Sequence, residues 1–315
     1  MPEVVLAIDV GGTKMALALV DDEGTVLADD VRPTPADPDP LRVVRPLLEG
    51  IAAIVGRLPR GSGPLRVGVS SAGPLDGPSG TVSPVNIGAW REFPVVEHVR
   101  RAAGEATGRG AVVGLANDGH CFTLGEHWLG AGRDVGSMVG MVLSTGVGAG
   151  AVLDDELFGG ATGNAVHLGH ISVNAWGARC VCGGHGCVEM YARGPAMVAA
   201  ARQRGWTGGE DARALTADAR AGDLVALDVI DEGMRALAAG IATTATELDV
   251  TTFVLGGGVS RAGDVIFDPL RRHVADFAAL PYVRDLEVRP AMLENAGLLG
   301  AAALALRLEM PAEPS

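Results

Sequence analysis

The stretch Val4-Val5-Leu6-Ala7-Ile8-Asp9-Val10-Gly11-Gly12-Thr13-Lys14-Met15-Ala16-Leu17-Ala18-Leu19-Val20 reads as a strand, a glycine turn and a return strand. An apolar, β-branched run ends on a carboxylate and two glycines. Glycine lets backbone N–H groups approach an oxyanion with no Cβ in the way, and an Asp at a strand end is suited to hold Mg²⁺ or its waters. Lys14, inside this turn, is the only lysine among the 25 basic residues. The programme returns about 135 residues later. Gly136 to Ser144 is a predicted strand, Thr145 to Gly150 a glycine turn, and Ala151 to Leu153 the start of a return strand before Asp154-Asp155. A third apolar strand, Thr252 to Leu255, runs into Gly256-Gly257-Gly258-Val259-Ser260. One glycine turn is ordinary, but three behind apolar strands point to nucleotide phosphates. Two other nucleotide motifs fail on detail. A G-x-x-x-x-G-K-[ST] loop needs a hydroxyl after its lysine, and Lys14 is followed by Met15. A G-x-G-x-x-G fingerprint opens a helix, whereas Gly146, Gly148 and Gly150 lead into a strand.

Outward from these loops, apolar spacing predicts helices over Leu41–Leu58, Val95–Gly104, Val225–Leu248 and Leu298–Leu308, with strands at Leu65–Ser70 and Ala111–Ala116. Strands alternating with helices define an α/β fold with mostly parallel sheets, and the strand–loop–strand repeat suggests an internal duplication. A chain of 315 residues suggests about two domains. With 48% hydrophobic residues it can bury a large core, which excludes disorder. A net charge of −13 repels phosphate backbones, so no nucleic-acid partner is expected. No apolar run reads as a membrane span and Met1-Pro2-Glu3 does not read as a signal peptide, so the expectation is a soluble cytoplasmic protein without a membrane partner.

Two further constellations carry chemistry. Cys180, Cys182 and Cys187 crowd into eight residues, with His170 ten residues upstream of Cys180. Three thiolates and an imidazole make a closed tetrahedral zinc site, which is structural because no position stays open for water. A disulfide is the alternative, His185 is a possible competing ligand, and Cys121 reads as an ordinary buried cysteine. Asn117-Asp118 follows a predicted strand, where a carboxylate faces the ligand crevice of an α/β sheet and could take a proton from an attacking hydroxyl. The same pair is equally a helix-cap signal.

At these residues the sequence resembles the ROK family of bacterial sugar kinases and repressors, within the actin-like ATPase superfamily, over nearly the whole chain. Asp9-x-Gly11-Gly12-Thr13-Lys14 resembles the family's first phosphate motif, Ser144 to Gly150 its second, and Leu255 to Ser260 its adenosine segment. Asn86-x-x-x-Trp90 resembles its sugar-domain signature, and His170 with Cys180-x-Cys182-Gly183-x-x-Gly186-Cys187-x-Glu189 is the most specific match. The resemblance implies a two-domain, ribonuclease H-like fold with a structural zinc site, closing on ATP and a sugar. Expected boundaries are a small lobe at 1–116, completed by a C-terminal helix at 295–315, and a large lobe at 117–294. Asp118 would be the general base. Asn86, Asn117, Asp118, His167, His170 and Glu189 would meet the substrate. Asp9, Gly11, Gly12, Thr13, Lys14, Thr145, Gly146, Gly256, Gly257 and Gly258 would meet ATP and Mg²⁺. His170 would bind Zn²⁺ through one ring nitrogen and the sugar through the other, with Cys180, Cys182 and Cys187 completing the site. A homodimer or homotetramer is implied. Family repressors carry a DNA-binding domain before the first phosphate motif, and only two residues precede Glu3 here, so a kinase is expected rather than a regulator; the intact Asp9, Lys14 and Asp118 speak against a silent sugar sensor.

The sequence departs from the family at one telling place. The sugar motif Glu-x-Gly-His reads His167-Leu168-Gly169-His170. The resemblance places that Glu against hydroxyls on the C1/C2 side of a hexose, away from the phosphorylated end. A carboxylate only accepts, whereas a neutral imidazole donates from one nitrogen. The expected substrate therefore offers an acceptor at that end and a CH₂OH at the other. A C7-cyclitol such as 2-epi-5-epi-valiolone, phosphorylated at O7, fits. A hexose kinase, acting on glucose or an N-acetylhexosamine, is the alternative. Smaller oddities are Ser144, where Gly is commoner, and His120, either a core histidine or a second substrate donor.

Overall fold

The computed structural model describes residues 3–58 and 63–309. The chain divides into two compact units. The first holds the segment up to Gly130, Leu157–Ala165 and the segment from Leu293 onward; the second holds Ala131–Glu156 and Val166–Met292.

In the first unit, β1 (Val4–Val10) pairs antiparallel with β2 (Lys14–Asp21), which pairs antiparallel with β3 (Val26–Pro33). On its other side β1 runs parallel to β4 (Leu65–Ser71), and β4 to β7 (Ala111–Asn117). A short antiparallel pair, β5 (Leu75–Asp76) and β6 (Thr81–Val82), lies outside this sheet. β3 is not foreseen by apolar patterning because it is an edge strand: Leu27 and Val31 are exposed, and Asp29 and Asp30 interrupt the run. Helix α1 (Pro40–Val55) starts on a proline behind Asp39, whose carboxylate accepts the Leu41 N–H at 2.9 Å. Helix α2 (Val95–Thr107) ends at Gly108 in the left-handed conformation.

Two more helices complete this unit, α3 (Asp118–Leu129) and α9 (Ala296–Leu306). They pack so closely that a Cβ on Gly300 would lie 1.6 Å from the Cys121 carbonyl oxygen. On another face of α9, a Cβ on Gly68 of β4 would lie 1.8 Å from the Ala301 carbonyl oxygen. This packing places the unit's edge at Gly130 instead of the expected 116: α3 is held by α9 and stays with the first sheet. The closing helix ends at Leu306; residues 310–315 of the expected 295–315 segment, like 1–2 at the other end, lie outside the described residues.

The second unit repeats the sheet. β8 (Met138–Leu143) pairs antiparallel with β9 (Val147–Leu153) and parallel with β11 (Thr252–Gly256), which runs parallel to β12 (Glu287–Pro290). With β10 (Glu156–Leu157) the order is β10-β9-β8-β11-β12, against β3-β2-β1-β4-β7 in the first sheet. Strand for strand the two orders correspond: β1–β2 and β8–β9 are antiparallel, and the two pairings on the other side of β1 and of β8 are parallel. The expected turn from Thr145 to Gly150 is shorter, because β9 already begins at Val147. Helices α4 (Glu189–Ala192), α5 (Gly194–Gln203), α6 (Ala212–Arg220), α7 (Leu224–Leu248) and α8 (Asp264–Phe277) accompany this sheet. No helix among the described residues is long and apolar enough to cross a membrane.

Candidate active site

In the first unit the parallel strands β1, β4 and β7 end together. Their register sets Asp9 beside Ser70, and Ser71 beside Asn117, so the predicted residues reach one sheet edge. Burial raises the pKa of Asp9, opposed by the Ser70 hydroxyl, which donates to Oδ1 at 2.8 Å, and by the charge of Lys14. The turn from β1 to β2 is closed by the Gly11 N–H donating to the Lys14 carbonyl at 2.9 Å, and the Thr34 hydroxyl donates to the Gly11 carbonyl at 2.7 Å. A Cβ on Gly12 would stand 2.9 Å from the Asn86 side chain, so only glycine lets Asn86 lie against this loop. Gly12, Asn86 and the Thr34–Pro38 loop share a cavity of 430 Å³. Trp90, the other end of the Asn86 signature, is fully buried and stacks on Phe93 with centroids 4.5 Å apart, a core role.

Asn117 and Asp118 sit where β7 becomes α3. The Asn117 Oδ1 accepts the Gly119 N–H at 2.9 Å, and the Asp118 Oδ1 accepts the same N–H at 2.8 Å. Asn117 is buried and is the helix cap; Asp118, the first helical residue, is exposed. The cap reading holds for Asn117, and Asp118 presents its carboxylate at the exposed first turn of α3. His120 is buried and its Nε2–H donates to the Ala165 carbonyl at 2.9 Å, which makes it a framework histidine. Cys121 is fully buried, and burial drives its thiol pKa up, so it is inert.

In the second unit, His167 precedes a single 3₁₀ turn, Leu168–His170. A Cβ on Gly169 would meet the Val147 carbonyl oxygen at 2.2 Å, so the turn lies directly on β9. The rings of His167 and His170 are 5.8 Å apart. Glu189, buried at the start of α4, accepts the Val147 N–H through Oε2 at 3.0 Å, and Arg193 approaches its Oε1 at 4.0 Å. Thus Glu189 braces the second glycine loop as well as facing the sugar-motif turn's neighbour strand, a link that sequence spacing does not reveal.

The four residues expected to hold zinc come together. One donor atom from each of His170, Cys180, Cys182 and Cys187 lies within 4.8 Å of every other. His170 Nδ1 is 3.7 Å from Cys180 Sγ, and Cys182 Sγ is 3.6 Å from Cys187 Sγ. Tetrahedral zinc with bonds of about 2.0–2.3 Å spaces its ligand atoms by about 3.3–3.8 Å, so the donor set and its spacing fit Zn²⁺. His185 turns away; its Nδ1 pairs with the Gly177 carbonyl at 3.2 Å.

The second and third loops also meet. Gly257 has φ of 96°, and a Cβ there would lie 2.4 Å from the Leu143 carbonyl oxygen, which in turn accepts the Val259 N–H at 3.1 Å. The third loop is thereby docked on the end of β8. Ser144 and Thr145 from one loop and Gly258 and Val259 from the other line a cavity of 530 Å³, within the range of small-ligand sites. Gly146, Gly256 and Gly257 shape these loops without lining that cavity. Its far wall, with Arg213 and Arg220 on α6 and Arg261 beyond the third loop, carries no motif by which sequence reading could have found it.

A duplicated α/β fold, three glycine loops, a carboxylate at a helix start and a Cys₃His cluster together define an ATP-dependent sugar kinase. The chain belongs to the ROK family, whose model matches residues 5–308. It is 33% identical over 321 residues to a glucokinase of Thermotoga maritima, covering 96% of this chain and 98% of that protein. It is 36% identical over 305 residues to an N-acetylmannosamine kinase of Citrobacter koseri, covering 95% and 98%. The crystal structure of a ROK family glucokinase from Streptomyces griseus with glucose and AMPPNP superposes with a TM-score of 0.77 at 31% identity, covering 97% of this chain and 100% of that one.

Proposed function

We propose that this kinase transfers the γ-phosphoryl group of ATP to the primary CH₂OH of an N-acetylhexosamine, with N-acetylmannosamine the favoured sugar. The observation that carries the reading is the replacement of the motif's glutamate by His167, on the turn that also presents His170. An imidazole N–H at the C1/C2 end of the sugar suits a carbonyl, and the acetamido group at C2 supplies one. Kinases named for N-acetylmannosamine stand among the relatives at 34–36% identity, which supports the choice. The ring ketone of 2-epi-5-epi-valiolone would meet the same donor, but none of the relatives described above is a cyclitol kinase, so the acetamido sugar is preferred. Plain glucose offers hydroxyls at that end, and a site built for another pairing discriminates against them.

In this reading Asp118 takes the proton of the attacking hydroxyl, and Asn117 caps α3 so that Asp118 is held at its first turn. Asn86, His167, His170 and Glu189 are the remaining sugar contacts. Thr145, Gly146 and the 530 Å³ cavity with Gly258 take the nucleotide; Gly256 and Gly257 place the third loop for it. Gly11, Gly12, Thr13 and Lys14 face the transferring phosphate. Asp9, a buried carboxylate whose pKa is raised by burial, suits a neighbouring Mg²⁺ or its waters. When bound, Mg²⁺ would supply charge neutralisation on the phosphates, and His170, holding Zn²⁺ with Cys180, Cys182 and Cys187, would be oriented by it toward the sugar.

ADP release with Mg-ATP, measured over N-acetylmannosamine, N-acetylglucosamine, mannose, glucose and 2-epi-5-epi-valiolone, tests the reading. N-acetylmannosamine is expected to exceed glucose in kcat/KM by at least about tenfold, or about 1.4 kcal/mol. The His167→Glu enzyme is expected to shift that ratio toward glucose by a similar factor. A wild-type preference for glucose, or a ratio untouched by His167→Glu, overturns it; a preference for the cyclitol replaces the acetamido sugar while keeping the role of His167.

A further inference from the structure

The second unit resumes at Val166, and this residue stands in the left-handed region with φ of 59°. A β-branched residue is an outlier there, because its side chain crowds the backbone carbonyl. Such a conformation persists only where the surroundings over-determine it. Here two contacts do so. The Val166 side chain packs against the core cluster of its unit. Its carbonyl accepts the Leu168 N–H at 2.8 Å, an i to i+2 hydrogen bond. That bond closes an inverse γ-turn centred on His167, whose φ and ψ are −74° and 60°. The His167 carbonyl then accepts the His170 N–H at 2.9 Å, and Leu168, next in the chain, is fully buried. His167 is therefore pinned twice, by the γ-turn centred on it and by the 3₁₀ turn that follows it.

We infer that Val166 is the positioning residue for His167: held in the left-handed conformation by the core, it sets the γ-turn that keeps the His167 ring beside that of His170. A donor pre-set in this way loses little freedom when it meets a ligand, so its release weakens sugar binding and leaves the phosphoryl-transfer step unchanged. The inference rests on the reading of His167 as a sugar contact.

The test compares Val166→Gly and Val166→Ile with wild type, reading KM, kcat and melting temperature on whichever sugar the wild type turns over best. Glycine adopts φ of 59° without strain but also leaves it freely. Val166→Gly is expected to raise the sugar KM about three- to tenfold, with kcat changed by less than about twofold and melting temperature equal to or above wild type. Val166→Ile is expected to keep the wild-type KM. In a His167→Ala background the Val166→Gly change is expected to have no further effect on KM, since it acts through that ring. An unchanged KM in Val166→Gly, a fall in kcat that accompanies a fall in melting temperature, or an effect that persists without the His167 ring each overturns the proposal. Should Val166→Gly fail to fold, Val166→Ala, which keeps Cβ and loses the γ-methyl anchor, is held to the same KM criterion. Because KM is read on the sugar the wild type itself prefers, failure of the acetamido assignment in the substrate panel leaves this test intact.

Discussion

Replacing Asp118 by Asn is expected to lower kcat about 10²- to 10⁴-fold while leaving the sugar KM within about threefold. The loss corresponds to about 3–5.5 kcal/mol of transition-state stabilisation. The substitution is nearly isosteric, and an amide Oδ1 still accepts the Gly119 N–H that Asp118 accepts at 2.8 Å. Asn117 keeps the principal cap of α3 in either protein. What the variant lacks is a carboxylate able to take a proton from the attacking hydroxyl. An unchanged melting temperature with the collapse in turnover separates chemistry from folding. Turnover within about tenfold of wild type would remove Asp118 as the base.

The second large effect is expected from the Cys₃His cluster. Purified protein is expected to hold one zinc ion per chain by atomic absorption, and Cys187→Ser or prolonged chelation is expected to empty it. Cys187 is almost wholly buried, its backbone bridges to Ser172, and Glu189 follows two residues on. His170 lies on the neighbouring 3₁₀ turn, and the Val188 N–H donates to Ile171 at 3.0 Å. An ion held there would tie together the segments that present His170 and Glu189. Its loss leaves three thiols and an imidazole packed without a shared cation. A fall in melting temperature of about 10 °C is expected, corresponding to about 3 kcal/mol for a unit of this size, together with a rise of at least about tenfold in the sugar KM. Chelated protein that contains no metal yet melts and binds sugar as the wild type does would exclude a structural role for the ion.

How much of this was legible in advance differs from element to element. Asp9 to Lys14 announces a loop between two strands because an apolar run, a strand-ending acid and paired glycines are local chemistry, readable in one window. The cluster of Cys180, Cys182 and Cys187 is legible for the same reason: a metal demands particular ligand types at short spacing, and sequence carries both. The duplication was visible in outline because each half repeats the same order of local signals. By contrast, α3 has no amphipathic period to detect; Gly119 through His127 are all buried, polar and apolar alike, so no face of this stretch is left to solvent. β3 hid for the opposite reason, as an edge strand with five of its eight residues exposed and none buried.

The sequence by itself determined the α/β class, the three glycine loops and the crowding of His170, Cys180, Cys182 and Cys187, since each depends on residue type and near spacing. Only the tertiary structure decided where the units divide, which arginines wall the 530 Å³ cavity, and that Glu189 braces Val147. It alone decided that His120 serves the framework, that His185 leaves the metal cluster, and that Val166 is held at φ of 59°. These outcomes depend on close approach between segments far apart in the chain, where one carbonyl oxygen or one missing Cβ sets the geometry. No local window of sequence contains both partners.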